Sequence, residues 1–131
     1  MKNKVVILAA ISFLFVGILA SGCIGEKYDD NVKIVRKGTM TNYPNVPVGK
    51  AFDQFFSNGK WRSFTSTENQ TIVEFMGNCT FNNKPAKMTV QFVVNPQNKT
   101  FMLKYASIND VPLNLLESAG VLDKILSEYK K

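Results

Sequence analysis

Between Trp61 and Ile108 the chain keeps a two-residue period through four extended runs, Trp61 to Ser66, Thr71 to Phe81, Ala86 to Asn95 and Thr100 to Ile108. Successive side chains of a strand point to opposite faces, so this alternation marks strands with one buried side. In the third run Met88, Val90, Phe92 and Val94 alternate with Lys87, Thr89 and Gln91; in the fourth Phe101, Leu103 and Tyr105 alternate with Thr100 and Lys104. The connections Asn82-Asn83-Lys84-Pro85 and Pro96-Gln97-Asn98-Lys99 are turn-forming and too short for a crossover. An antiparallel meander follows. Trp61 and Phe64 fall on opposite faces of a regular strand, which predicts a bulge or a short strand there.

Helical spacing brackets the meander. Val48, Ala51, Phe52, Phe55 and Phe56 share one helical face that ends near Asn58-Gly59. Leu115, Leu116, Ala119, Leu122, Ile125, Leu126 and Tyr129 form a second stripe, beginning after Asn109-Asp110 with a bend expected at Gly120. Val32 to Thr41 is rich in β-branched residues and stops at the turn signal Asn42-Tyr43-Pro44-Asn45, which predicts a first strand. The expected order is β-α-β-β-β-β-α, an α+β domain with a four- to five-stranded antiparallel sheet and two amphipathic helices.

The two sheet faces differ. Val73, Phe75, Cys79 and Phe81 share the core side, while Ile72, Met76, Val93, Met102 and Ile108 fall on the other among Glu74, Lys87 and Lys104. That second face is less polar than a solvated one, so it needs cover: the closing helix, the Val32 strand, or a protein partner.

The N-terminus carries an address. Lys2 and Lys4 precede sixteen residues, Val5 to Ala20, interrupted only by Ser12 and Gly17, and the run ends in Leu19-Ala20-Ser21-Gly22-Cys23. A charged start, an apolar stretch shorter than a comfortable membrane span, and small residues before a cysteine resemble the lipobox of bacterial and archaeal lipoproteins. The resemblance implies cleavage after Gly22 and acylation of Cys23 with lipid such as palmitate. Ala20 stands where Leu is usual. Residues 1–22 are then a cleaved signal peptide, 23–31 a lipidated tether and 32–131 one α+β domain. An uncleaved helical anchor and plain secretion with Cys23 free also fit. Both anchored readings leave Lys2 and Lys4 on the cytoplasmic side and the rest of the chain outside.

Composition excludes several function classes. There is no histidine among the 131 residues, which removes histidine general bases, Ser-His and Cys-His pairs and histidine-ligated metals. Cys79 is left alone once Cys23 is acylated, so no zinc site forms; if acylation fails, a Cys23–Cys79 disulfide is open. Carboxylates are dispersed apart from Asp29-Asp30, and the net charge of +6 is scattered, against a nucleic-acid tracking surface. Ser57-Asn58-Gly59-Lys60 and Ser127-Glu128-Tyr129-Lys130 match S-x-x-K without its companion motifs. Asn69, Asn78 and Asn98 head glycosylation sequons.

Val48-Gly49-Lys50-Ala51-Phe52, Phe55-Phe56, Lys60-Trp61, Val73-Glu74-Phe75 and Val90-Gln91-Phe92 resemble a small domain recurring in prokaryotic lipoproteins and secreted proteins, over residues 34 to 128. The resemblance implies a shared apolar core and an extracytoplasmic location and brings no activity with it. The expectation is a cell-membrane lipoprotein facing outward, held to the bilayer by its anchor, with no cofactor, metal or nucleic acid. It acts without catalysis as a binding module, through the second sheet face or the exposed loops. The alternative is carriage of a small apolar ligand between the sheet and the Phe-rich helix.

Overall fold

The computed structural model describes residues 27–131. The signal, Gly22 and the acylation candidate Cys23 lie outside them. The described chain folds as α1 (Asp30–Lys37), α2 (Val48–Phe55), β1 (Ser57–Thr65), β2 (Thr71–Phe81), β3 (Lys84–Asn95), β4 (Thr100–Ile108), β5 (Val111–Pro112) and α3 (Leu115–Ser127). The five strands form one antiparallel sheet in sequence order. The α+β class and the meander are as the alternation requires.

The first element is a correction. Val32 to Lys37 belongs to a helix, not a strand, and the helix begins inside the segment read as tether. Asp29 caps it, accepting from the Val32 backbone N–H at 2.9 Å, and Asp30 opens the helix while Arg36 and Lys37 close it. Those charges suit the helix dipole. The buried pair Val32 and Val35 repeats every three residues, and that packing outweighs β-branched propensity. α1 touches β1, β2, β3 and β4, so a third helix lies on the sheet.

Turn chemistry sets the register. Asn82 and Asn83 have φ of 52° and 63°, the two left-handed residues of a tight hairpin loop, so Lys84 and Pro85 already belong to β3. Asn109 and Asp110, at 50° and 67°, make the same turn and fold β5 back on β4 before α3 starts. α3 opens with Asn114 and Glu117 in a reciprocal capping box and runs through Gly120 without a break. Its buried residues are Ser118, Leu122, Ile125 and Leu126; Leu115 and Leu116, counted in the apolar stripe, are 72% and 83% exposed.

The core sits between one sheet face and the helices. Phe52 is its centre, with Phe75 edge-on at 4.9 Å between ring centroids and Trp61 and Phe56 at 5.4 and 5.5 Å. Phe75 lies over Gly77, where an added Cβ would come 2.6 Å from its ring, so a side chain there would displace the aromatic cluster. α1 and α2 are clamped together by Arg36, whose two terminal nitrogens donate to the two carboxylate oxygens of Asp53 at 3.1 and 2.9 Å.

Two irregularities decide which residues face which way. β1 shifts register between Ser57 and Lys60, while Trp61 to Thr65 is regular and sends Trp61 to the core and Phe64 to the second face. β4 carries an extra residue, Lys104, because Phe92 pairs with Leu103 but Gln91 with Tyr105. That bulge corrects two assignments. Tyr105 leaves the core face to which simple alternation assigned it, and Ile108 joins the core rather than the second face.

Candidate interaction surface

All three helices bury their side chains in the core on one side of the sheet, so among the described residues none covers the other side. The second face is built row by row from the hairpin registers. Arg62, Glu74, Gln91 and Tyr105 lie side by side across β1 to β4, and Met76, Thr89 and Ser107 form the next row. These rows line an open depression of about 370 Å³ whose far end is closed by the ion pair of Lys87 with Asp110 at 3.6 Å.

Its centre is a buried carboxylate. Arg62 Nε donates to Glu74 Oε1 at 2.7 Å, and Gln91 Nε2 donates to Oε2 at 2.8 Å. Burying an ionised carboxylate is costly unless both oxygens are paired, and here both are. The side chain of Glu74 is 8% exposed and that of Arg62 61%. The carboxylate is thus fixed structure, whereas the guanidinium, stacked on Phe64 at 4.7 Å, presents its remaining N–H donors to solvent. Thr89 and Ser107 are buried beside it.

Apolar side chains frame this polar floor. Ile72 is shielded by its cross-strand neighbours Phe64 and Val93, and Met102, paired with Val93, is 63% exposed. Met76 sits opposite Thr89, on the far side of the Glu74 row, so Met76 and Met102 do not form one patch. Lys104, at the bulge, reaches Gln70 at 2.6 Å and Glu68 at 3.4 Å.

The rings of Phe52, Phe55 and Phe56 pack on one another, Phe55 against Phe56 at 5.0 Å and Phe52 against Phe56 at 5.5 Å, and Phe56 also meets Phe75 of β2 at 4.8 Å. A space of about 80 Å³ lies beside Phe55, and a depression of about 420 Å³ next to Phe52 and Phe56 has a charged rim of Lys27, Arg36 and Asp53. Cys79 is free and half-buried, and burial pushes its thiol up, away from the reactive thiolate. The sequon residues Asn69, Asn78 and Asn98 are all exposed.

Among the described residues no group of three His, Cys, Asp or Glu side chains gathers to hold a metal, and no helix is long and apolar enough to cross a membrane. The alternation places Glu74 on this face, and the strand registers add Arg62, Tyr105 and Ser107. The signal for Gln91 is the register, since the turn at Asn82-Asn83 makes Glu74 face Gln91, while Arg62 is placed by the β1–β2 pairing. No family model, curated protein or solved structure matches the chain.

Proposed function

We propose that the protein is an extracytoplasmic lipoprotein, anchored through Cys23 after cleavage behind Gly22, that acts without catalysis by binding a protein partner on the second sheet face. The carrying observation is the contrast within the sheet: among the described residues three helices share one face, while the other is left open around a built Arg62–Glu74–Gln91 cluster. The cluster makes Glu74 a fixed polar floor and leaves most of the Arg62 donors facing outward. Buried polar floor, an exposed arginine and apolar margins at Phe64 and Met102 are the ingredients of a protein interface, where arginine and methionine are enriched. The sequence supports the address through Lys2, Lys4, the apolar run and the small residues before Cys23.

The test is photocrosslinking in intact membranes. A photoreactive side chain at Met102 or Tyr105 gives a discrete adduct that Arg62→Glu abolishes, while the same group at exposed Lys124 on α3 gives none. Equal labelling from both sides of the sheet, or an adduct indifferent to Arg62, overturns the assignment.

A further inference from the structure

The direction in which the described chain meets the anchor bears on how the domain stands. Lys27 lies beside Asn58 and Gly59 at the start of β1, and Asp29 is held by the Ser63 hydroxyl further along the same strand at 2.6 Å. Traced backwards from Asp29 to Lys27, the chain therefore heads for the end of the sheet where β1 begins. Cys23 is four residues before Lys27, so an acyl group on it is tied to within about 14 Å of that point at roughly 3.6 Å per residue.

The same end carries the features of a membrane contact. Ser57, Asn78 and Lys87 form its last common row, and the β2–β3 hairpin continues beyond it to the pair Phe81–Lys84. At about 3.3 Å per residue that tip projects roughly 10 Å past its neighbours. Phe81 is 45% exposed, and Val111, next to the turn that bonds Asn109 to Lys87, is 64% exposed. Lysines lie at the same end: Lys84 is the cross-strand partner of Phe81 at the tip, Lys27 sits beside the start of β1, and the Lys130 backbone is held at the C-terminal end of α2 by Gln54. Among the described residues, Asp110 is paired with Lys87, Asp53 with Arg36 and Glu128 with Lys124.

Resting on the anchored reading above, we infer that this end of the sheet lies against the bilayer, Phe81 seated at the headgroup boundary and the lysines of that end on anionic lipid. An exposed aromatic paired with a lysine, with further lysines at the same end, is the composition of an interfacial contact. The tether then adds attraction it could not supply alone, and the second face stands upright and open to a partner. The other lysine group, Lys33, Lys37 and Lys99 around the β3–β4 turn, lies away from the anchor.

The experiment uses the full acylated chain on vesicles of equal parts phosphatidylcholine and phosphatidylglycerol, with a nitroxide at Thr80→Cys or Lys84→Cys at the tip, or at Gln97→Cys in the β3–β4 turn, each in a Cys79→Ser background. In protein that floats with the vesicles, collisions with an aqueous nickel chelate fall severalfold at both tip positions relative to Gln97→Cys. Equal access at the two ends, or protection of the β3–β4 turn, in floating protein overturns the orientation and leaves the anchor standing. Protein that does not float overturns both.

Discussion

Arg62 and Glu74 meet across β1 and β2 with a largely exposed guanidinium capping a buried carboxylate at 2.7 Å. The asymmetry predicts unequal effects. Arg62→Ala leaves one oxygen of Glu74 unpaired and should cost about 1–3 kcal/mol in urea unfolding, whereas the Arg62→Ala, Glu74→Gln double variant should recover part of that loss. Additive losses in the double-mutant cycle would show that the pair is not coupled.

Phe52 is fully buried against four aromatic rings. Phe52→Ala should lower stability by about 3–5 kcal/mol, measured by the denaturation midpoint at constant slope. Phe55→Ala, half-buried at the edge of the same stripe, should cost clearly less.

Asp29 links the α1 cap to β1. Burial pushes its carboxyl up, but the hydrogen bonds from Ser63 and from the Val32 and Asn31 backbones outweigh that and hold it below the usual aspartate range. A lowered native pKa gives stability that is complete above the unfolded value and is lost as pH falls through the native one. Asp29→Ala should cost about 1 kcal/mol at neutral pH through loss of the cap. Asp29→Asn, which keeps a neutral cap, should approach wild type as pH falls from about 5 to 3. A pH-independent difference between Asp29→Asn and wild type would contradict this.

Arg36 packs between the rings of Tyr28 and Trp61 at 4.6 and 5.6 Å while its fork holds Asp53. The hydrogen bond to Asp53 raises the Arg36 pKa against the opposing effect of burial. Lysine offers neither the fork nor the planar stack, so Arg36→Lys should destabilise by about 1 kcal/mol or more, read by thermal unfolding, despite keeping the charge. An unchanged midpoint would mean the α1–α2 clamp contributes nothing.

The sequence period names the elements more reliably than their buried residues, since the α3 stripe includes the exposed Leu115 and Leu116. The alternation of Met88 to Val94 and the helical spacing of Val48 to Phe55 name their elements and buried faces because packing imposes those periods. Phase changes were not visible. The extra residue at Lys104 reverses Tyr105 and Ile108, and nothing in a string of β-branched and aromatic residues announces a bulge. α1 is hard to see in the sequence because its buried face is two valines, Val32 and Val35, and its cap Asp29 lies in a polar, charged stretch. The polar cluster was half legible, since Glu74 and Gln91 are placed opposite each other by a two-residue asparagine turn, while Arg62 depends on a longer loop from Ser66 to Gln70.

The central claim is the outward anchor, and intact mass with membrane fractionation of wild type and Cys23→Ser tests it most directly. The account predicts that wild type begins at Cys23 with acyl mass and sediments with the membrane, and that the variant loses processing or attachment. Full-length, membrane-bound chains in both cases would contradict it and make the apolar run itself the anchor.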